Sequence, residues 1–573
     1  MFLLLEGDLA LIDRSMGVEH TVSVCGPGIL LGDTLMLEDE LPYRTTGRAI
    51  SSGYAALFEK AKVKLLHDNH LPLFTELLLS ISKAVTTRIS TASRGERGRS
   101  TLFGPESFRQ ERDLLGTRDV PSSALWGVQT ARARENFPIS GVRLDSYPEL
   151  IEAHAEIKRA CAIANCTLGN LDESLSQAIV EASEEISRGL WHGHFVVDMI
   201  QGGAGTSTNM NVNEVIANRA LELLGKSRGD YDVLHPNTHV NMSQSTNDVY
   251  PSAIRIALLR SSRALMEELE RLTMSFNRKG RKFAHVIKMG RTQLQDAVPM
   301  SLGQEFKAWG RTIREGRHRI ELALKGLSVL NLGGTAIGTG LNADPRFARI
   351  AIDQLSQRLE MKFSQAKDLI EATQDTSNFV ELAGVLKMFA VRLSKICNDL
   401  RLLSSGPHCG LNEINLPPMQ PGSSIMPGKV NPVIPEVVNQ VAFQIIGLDT
   451  AVALAAEGGQ LELNVFEPLI AFNLFTSIHM LRSAASTLRL RCIDGITANA
   501  EVCKDMVYSS VGLVTALNPA LGYKKTSEVA KEALNTKRPV YDIVLEKGYM
   551  TQEQLDVVLD PRNMINPTRK NKS

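Results

Sequence analysis

Apolar side chains recur every three or four residues over most of the chain after about residue 108, which is the spacing of one buried face of an α-helix. Many of these stretches exceed the length of about 8–20 residues that is usual for helices of globular proteins. Such lengths indicate an elongated bundle whose helices bury apolar stripes against one another. The predicted helices cover residues 149–168, 173–190, 252–277, 301–328, 376–404, 433–457 and 468–490.

The two ends of the chain follow other patterns. Residues 1–60 mix short β-branched and apolar runs with Gly-Asp and Gly-Pro-Gly, which predicts short strands of a roll or barrel. Residues 72–91 return to helical spacing, and the Gly-, Arg- and Ser-rich stretch that follows predicts a linker. Beyond Gly495, shorter helices and a turn at Leu517-Asn518-Pro519 indicate a small C-terminal unit.

These changes of pattern divide the chain into five parts. They are a strand-rich N-terminal domain (1–93), a linker (94–107), an N-terminal domain of the main body (108–243), a central helical bundle (244–494) and a small C-terminal domain (495–573).

Composition narrows the classes of function. The 573 residues include 63 Lys plus Arg and 63 Asp plus Glu, so no net charge attracts nucleic acid or anionic lipid. The seven cysteines include no Cys-x-x-Cys pair, which gives no support to a zinc ribbon or a disulfide framework. No apolar run reaches the roughly 18 residues of a membrane span, and MFLLLEGD is too short for a secretory signal. We expect a cytoplasmic protein without a bound metal.

Three polar islands interrupt the helical pattern. The first, QGGAGTSTNMNVNE, spans residues 201–214. Its glycines Gly202, Gly203 and Gly205 free the backbone for a close approach to a ligand, and hydroxyls such as that of Thr206 offer neutral donors. The alternative is a polar loop that caps the next helix.

The second island, NMSQSTND, spans residues 241–248 and carries Ser245, Thr246 and Asn247. These residue types also satisfy free N–H groups where a helix begins, so a simple capping role is an equal alternative. With this island we group residues 288–299, in which Thr292 and Gln293 lie in a predicted turn between two helices.

The third island, residues 416–441, is the most informative. Its prolines and glycines exclude a helix, and Ser423, Ser424 and Lys429 place reactive groups on the resulting loop. Asn431 and Pro432 read as the N-cap and first residue of the next helix. A lysine beside a helix N-terminus suits a carboxylate, whereas an ordinary linker before a capped helix is the alternative.

Hydroxyls, amides and one lysine allow carboxylate binding and proton transfer without a metal or redox cofactor. Removal of a proton from the carbon next to a carboxylate creates a dianionic enediolate, which fixed donors must stabilise. A serine can act as the base only where a nearby cation, backbone N–H groups and exclusion of water favour its alkoxide.

GSSIMPGKVNP, residues 422–432, resembles the signature loop of the aspartase/fumarase superfamily, and the other islands match its remaining blocks in order. The resemblance covers residues 108–573 and implies an all-helical homotetramer whose active sites combine residues from three subunits, with no cofactor needed for the chemistry. Gln293 stands where fumarases carry a histidine, so the chain resembles the ammonia-lyase branch more than its alternative, class II fumarate hydratase.

This resemblance implies roles for individual residues in the reversible conversion of L-aspartate to fumarate and ammonia. Ser423 would be the base that removes the C3 proton. Lys429, Asn431 and Thr292 would hold the α-carboxylate. The β-carboxylate and its enediolate form would be bound by Thr206, Ser245, Thr246 and Ser424. Asn247 and Gln293 would contact the amino group.

The segment GPGILLGDTLMLEDELPYRTT resembles part of a cyclic-nucleotide-binding domain. The resemblance implies that Gly32 and Asp33 hold the ribose and Arg44 the cyclic phosphate of an effector, although Asp33 is shorter than the usual Glu. A structural or oligomer-edge role is the alternative for this domain. For the whole chain, a nucleotide-responsive binding protein with an inactive lyase body is a further alternative. The expected fold is mainly all-α, an elongated bundle with small helical domains at both ends, preceded by a partial β-roll.

Overall fold

In the computed structural model, the described residues are six strands within residues 2–57, then residues 107–422, 424–426, 428–560 and 563. The six strands form two antiparallel three-stranded sheets, with orders β4-β1-β6 and β3-β2-β5. The short strands expected there are therefore present, while the predicted helix at 72–91 lies outside the described residues. The strands are β1 Phe2–Glu6, β2 Leu9–Asp13, β3 His20–Cys25, β4 Leu30–Leu31, β5 Thr45–Ala49 and β6 Tyr54–Leu57.

From residue 107 onward the protein is mainly helical, as expected. Short antiparallel pairs and one short parallel pair accompany the helices. The strands are β7 Phe108–Asp113, β8 Gly116–Pro121, β9 Ile287–Thr292, β10 Gln295–Ser301, β11 Val329–Leu330, β12 Ser364–Gln365, β13 Ile414–Asn415 and β14 Thr497–Ala498. The helices are α1 Val128–Asn136, α2 Pro148–Thr167, α3 Glu173–Ser187, α4 Thr206–Leu223, α5 Thr246–Lys282, α6 Leu302–Leu324, α7 Phe347–Leu359, α8 Leu369–Gln374, α9 Ser377–Leu403, α10 Val433–Glu457, α11 Glu467–Arg491, α12 Ala500–Ser509, α13 Val514–Thr536, α14 Val540–Glu546 and α15 Gln552–Val558.

The chain folds into two compact units that are each discontinuous in sequence. Unit 1 comprises residues 1–260, 326–379 and 451–475, and unit 2 comprises residues 261–325, 380–450 and 476–573. In unit 1, helix α2 packs against α3 and α7, and α3 packs against α4. The five sequence-based domains run consecutively along the chain and remain a prediction.

The long helices begin and end close to where the apolar spacing predicts. Helix α3 starts after Asp172, whose carboxylate accepts the N–H groups of Ser174 and Leu175. Helix α6 starts with a capping box between Ser301 and Gln304. The same side-chain chemistry that marks a helix start in sequence therefore fixes it in the structure.

In three places the expected pattern is wrong. Most of the first island is helix α4, because the polar side chains Asn209 and Asn213 are buried and hydrogen-bonded instead of looping out. The turn predicted within 288–299 is present at Gln293 and Leu294, but it joins two strands, β9 and β10, that the pattern did not predict. The predicted turn at Pro519 lies inside α13, which kinks instead at Gly522, where φ is 76° and a side chain would be strained.

The hairpin β9–β10 rests on the core of the C-terminal part of unit 2. Ile287 and Met289 of β9 belong to a buried cluster with Val507, Leu513 and Leu517. The arginine between them and the turn, Arg291, is only partly buried. The apolar side of this strand therefore anchors the residues at its end.

Helix α10 carries apolar side chains on its exposed side as well as on its buried side. Among the described residues it is the helix long and apolar enough, by length and composition alone, to cross a membrane, although only 28% of the relevant window is buried. Two polar side chains tie it to α9: Asn439 Nδ2 donates to Ser394 Oγ at 2.8 Å, and Lys387 pairs with Asp449 at 2.5 Å. These contacts are those of a helix in a bundle.

Candidate functional site

The predicted site residues fall into two groups, one in each unit. Unit 1 carries its group on the first turns of α4 and α5, and unit 2 carries its group on the β9–β10 turn and the loop before α10. Ser423, Gly32, Asp33 and Arg44 lie outside the described residues. The first group consists of Thr206, Ser245, Thr246 and Asn247, and the second of Thr292, Gln293, Ser424, Lys429 and Asn431.

The start of α5 is held by a reciprocal cap. Ser245 Oγ accepts the N–H of Asn247 at 3.2 Å, and the N–H of Ser245 donates to Asp248 Oδ1 at 2.9 Å. The other oxygen of Asp248 accepts the N–H groups of Gly333 and Thr335 at 2.9 and 3.1 Å. Burial is the largest influence on this carboxyl group and raises the pKa of Asp248 to about 6. The capping alternative for this island is thus confirmed.

The cap determines what the two hydroxyls at the helix start can do. Thr246 Oγ1 accepts from Asn209 Nδ2 at 3.1 Å, as Ser245 Oγ accepts from a backbone N–H. A hydroxyl has a single proton, so an oxygen that already accepts can donate that proton elsewhere. The start of a long helix also favours negative charge. The protons of the Ser245 and Thr246 hydroxyls are therefore not needed for these two bonds.

Thr206 begins α4 after a tight glycine turn. Gly203, Ala204 and Gly205 all have positive φ angles, and a Cβ on Gly205 would lie 2.4 Å from the ring of Tyr250. This glycine therefore permits packing against a buried tyrosine, where the sequence suggested approach to a ligand. Thr206 is exposed, and its hydroxyl donates to Gly203 O at 2.7 Å.

Asn247 is fixed by its neighbours in unit 1. Its Nδ2 donates to Ala336 O at 2.7 Å, and its main-chain oxygen accepts from Asn331 Nδ2 at 2.9 Å. The amide nitrogen is thereby committed to the protein. This orientation leaves the Oδ1 atom as the part of Asn247 suited to an amino group.

Sequence reasoning missed a buried lysine behind this site. Lys158 is fully buried on α2, and its Nζ donates to Asn241 Oδ1 at 2.8 Å and to Gln244 Oε1 at 3.0 Å. Burial lowers the pKa of Lys158 to about 7, against the opposing influence of Asp248. In sequence Lys158 looks like an ordinary solvent-facing lysine between apolar positions, so no local signal could have identified it.

In unit 2, Thr292 and Gln293 lie at the end of a strained hairpin. Gln293 and Leu294 have φ angles of 54° and 63°, the pair of left-handed residues that defines a type I′ turn. Neither is Gly or Asn, and such strain costs about 1–2 kcal/mol per residue. The side chains of all three residues are exposed. The surrounding structure must therefore hold the turn in place.

A buried carboxylate provides that hold. Glu413 is completely buried and pairs with Arg291 at 2.5 Å and with Lys288 at 2.8 Å, both on β9. Lys288 also pairs with Glu305 at 2.6 Å. Glu413 directly precedes β13 and the loop of residues 416–432, which we call the signature loop. One carboxylate thus connects the hairpin to the base of that loop.

The signature loop is closed at a narrow neck. The N–H of Gly422 donates to Lys429 O at 2.7 Å, and Asn431 Nδ2 donates to Gly422 O at 2.7 Å. A Cβ on Gly422 would lie 2.4 Å from Lys429 O, so only glycine fits. The prediction that Asn431 is an N-cap is wrong, because α10 begins at Val433 and the Asn431 amide closes the loop instead.

Above this neck the loop is open to solvent. Ser424 and Lys429 are exposed, and the loop borders a pocket of about 470 Å³. Among the described residues no group of three or more His, Cys, Asp or Glu side chains is placed to hold a metal ion. The described site thus offers hydroxyl, amide and ammonium groups, which is a donor set for carboxylates. The pocket is lined by Pro418, Met419, Gln420, Pro421, Gly422, Met426, Gly428, Lys429 and Val430.

Residues 116–447 match the family described as Lyase, and residues 513–566 match the family described as Fumarase C C-terminus. The first match alone covers more than half of the chain. The protein therefore belongs to the lyase family that includes the class II fumarases.

The curated relatives of this chain include aspartate ammonia-lyases. Aspartate ammonia-lyases of Pseudomonas canavaninivorans and Escherichia coli K12 are 58% and 50% identical to this chain, covering 80% and 81% of it and 98% of each relative. A fumarate lyase:delta crystallin from Brucella melitensis has a TM-score of 0.79 at 53% identity, over 80% of this chain and 100% of its own. A class II fumarase from Schistosoma mansoni has a TM-score of 0.76 at 35% identity, over 81% and 100%.

Proposed function

We propose that the chain catalyses the reversible cleavage of L-aspartate to fumarate and ammonia, as an aspartate ammonia-lyase. Ser423 removes a proton from C3, and the electron pair of that C–H bond moves into the β-carboxylate to give an enediolate. The C–N bond then breaks, ammonia leaves from C2, and the C2–C3 double bond of fumarate forms. Ser423 returns its proton to solvent before the next turnover. No cofactor takes part in these steps.

The start of α5 carries this proposal. Its two hydroxyls accept from the protein and can each donate a proton, and the helix N-terminus adds its dipole to them. Ser245 and Thr246, with Ser424, bind the β-carboxylate, and Thr206 joins them when its hydroxyl proton turns away from Gly203 O. The second negative charge of the enediolate develops there, so these donors stabilise the intermediate more than the substrate.

The other end of the substrate belongs to unit 2. The Lys429 ammonium, the Asn431 side chain and the Thr292 hydroxyl bind the α-carboxylate. Lys429 contributes most, because a charged donor holds a carboxylate about twice as strongly as a neutral one. Asn247 and Gln293 contact the amino group. The amide of Gln293 suits an ammonium leaving group, which needs less acid assistance than the hydroxide lost by malate.

The direct test is the substrate assay. Purified full-length protein supplied with L-aspartate should produce fumarate, measured by its ultraviolet absorbance, and an equimolar amount of ammonia. The same protein supplied with L-malate tests fumarate hydratase, the second candidate. Fumarate from malate at a higher kcat/KM than from aspartate would replace the proposed reaction with the hydration reaction.

We further propose that the chain works as a homotetramer whose active sites combine residues of three subunits. Enzymes of the class II fumarase family are oligomeric, and the outer side of α10 supports assembly here. Phe443 and Leu454 are 62% and 66% exposed and, with Ile446, lie on one side of that helix. A second copy would cover them. Sedimentation equilibrium should give four times the 62.8 kDa chain mass, whereas a monomer with full activity would contradict the shared site.

For the N-terminal domain we propose a cyclic-nucleotide effector site at Gly32, Asp33 and Arg44. The support is the sequence resemblance together with two antiparallel sheets in the same segment. Calorimetric titration of the full chain with cyclic AMP should give binding that Arg44→Ala removes. No heat with either protein would leave the domain a structural role. We also propose a cytoplasmic location, which cell fractionation would test.

A further inference from the structure

The polar residues behind the start of α5 form a network whose direction is set at both ends. Lys158 Nζ donates to the oxygens of Asn241 and Gln244 at 2.8 and 3.0 Å, and the ammonium and the neutral amine both carry the two protons that these bonds need. The Gln244 amide nitrogen donates to the main-chain oxygens of Val240 and Met242 at 3.1 and 3.0 Å. Main-chain oxygens only accept, so the orientation of Gln244 has one solution.

That direction passes to Asn209 through Asn241. The single oxygen Asn241 Oδ1 accepts from Lys158, from Asn209 Nδ2 at 3.1 Å and from Asn213 Nδ2 at 3.3 Å. Because Asn241 presents an oxygen, Asn209 must present its NH₂ group. The second proton of that NH₂ group points to Thr246 Oγ1, also at 3.1 Å. Thr246 is therefore the acceptor in this pair, and its own proton is free to donate.

The arrangement has a cost that the fold could otherwise avoid. Asn209 Oδ1 and Asn213 Oδ1 are buried and have no hydrogen-bond partner among the described residues. A buried polar atom without a partner costs about 1–3 kcal/mol. Rotating the Asn209 amide would instead bring its oxygen against Asn241 Oδ1 and reverse the bond to Thr246. Lys158 makes this alternative unfavourable, since it holds the Asn241 oxygen in place at 2.8 Å, and a longer bond of 3.3 Å from Asn241 Nδ2 to Gln244 O supports the same orientation.

We propose that Lys158 is a positioning residue for the lyase reaction, which fixes Thr246 as a hydrogen-bond donor to the substrate's β-carboxylate through Asn241 and Asn209. This inference rests on the proposed role of Thr246. It also explains how a subsite of neutral side chains accommodates a dianion. The buried amine of Lys158 is connected to Thr246 through Asn241 and Asn209, and it orients these side chains so that Thr246 donates toward the developing charge. Lys158 itself does not touch the substrate.

A double-mutant cycle on the full-length enzyme tests the route through Thr246. Lys158→Met keeps the length of the side chain and removes its donors, and should lower kcat/KM for aspartate about 100-fold. In a Thr246→Val background the same change should cost at most about 3-fold, because its target is gone. Equal losses in both backgrounds would overturn the proposal. Full activity of Thr246→Val would instead refute the subsite assignment.

A buried lysine elsewhere provides the matched control. Lys279 is 5% exposed and donates to Ile496 O at 2.7 Å in unit 2. Lys279→Met should lower thermal stability, as Lys158→Met does, but its effect on kcat/KM should be the same with or without Thr246→Val. The proposal therefore predicts that only Lys158→Met has an effect on kcat/KM that depends on Thr246, even if both lysine variants lose some activity.

A second pair of variants decides the matter if Lys158→Met does not fold. Asn209→Asp is isosteric but cannot donate, so the Thr246 proton should turn toward the new carboxylate and kcat should fall about 100-fold. Asn213→Asp makes the same chemical change one turn further along α4, where the amide does not contact Thr246. Its loss should be at least about 10-fold smaller. Equal losses in the two variants would overturn the proposal.

Discussion

The start of α5 and the signature loop bind opposite ends of the same small substrate in the proposed reaction, yet they are built differently. At the start of α5 the hydroxyl oxygens of Ser245 and Thr246 accept hydrogen bonds from the Asn247 N–H and from the buried amide of Asn209, respectively. The loop places Ser424 and Lys429 in solvent above a neck of two hydrogen bonds. The first region is therefore held by hydrogen bonds to buried groups, whereas the second is exposed to solvent.

The sharpest test of this difference is the base on the loop. Ser423→Ala removes the group that takes the C3 proton, so kcat should fall by about 10⁴-fold or more. Thermal stability and the assembled mass should stay as in the parent enzyme. Ser424→Ala is the matched control beside it, with a smaller loss. If Ser423→Ala keeps its turnover, Ser423 is not the base, and only the α5 region would retain its proposed role in the reaction.

The next largest effect concerns charge on the loop. Lys429→Met should raise KM for aspartate about 100-fold, because the α-carboxylate loses its charged partner. The kcat value should change less, since this contact forms in the ground state as well. Steady-state kinetics separate the two parameters. A loss confined to kcat would place Lys429 at the developing charge instead, beside the α5 hydroxyls.

The neck itself gives a smaller effect. Gly422→Ala introduces a Cβ against Lys429 O and should open the loop, lowering kcat about 10-fold while the melting temperature hardly changes. Gly428→Ala is the control, because Gly428 lies in the same loop with open space around it, although its positive φ of 83° strains a side chain there. If both variants lower kcat alike, the close approach of Gly422 to Lys429 O does not determine the activity of the loop.

The smallest effect belongs to the buried region of unit 1 and is one of stability. Burial raises the pKa of Glu467 to about 8 from 4.5, and its Oε2 has no hydrogen-bond partner among the described residues. A carboxyl with a raised pKa stabilises the fold fully below pH 4.5, and this contribution is lost as the pH rises through 8. Glu467→Gln should therefore unfold at an increasingly higher temperature than the parent between pH 5 and 9, by several degrees. Parallel melting curves across that range would contradict it.

How far the sequence predicts these two regions follows from where their contacts lie. The helices and the signature loop are encoded locally, by apolar spacing and by Pro and Gly, and the structure has them close to the predicted bounds. Helix α4 is not encoded locally in this way, because its buried face carries Asn209 and Asn213. Their partner Asn241 lies about thirty residues further along the chain. Lys158 is more than eighty residues from its partners. Such pairings exist only once the chain has folded.

The neck of the signature loop shows the converse. Its pattern of glycine, lysine and asparagine was recognisable, but the role of Asn431 was not, since an Asn before a helix normally caps it. Here the amide reaches back nine residues to Gly422 O. The turn at Gln293 and Leu294 was predicted, but the two strands that it joins were not. Neither residue favours positive φ, and the support for the hairpin comes from Glu413 far along the chain.

In the proposed homotetramer, the outer side of α10 would make the stability of the protein depend on its concentration. Phe443 and Leu454 are exposed on a single chain, so covering them with a second copy would add apolar burial to each protomer. Dilution would then act as a denaturant: the melting temperature should fall as protein is withdrawn, and aspartate or fumarate, by bridging subunits, should oppose that fall. In that tetramer, the stability of the fold, the assembly of the subunits and the affinity for substrate would all depend on the same association equilibrium.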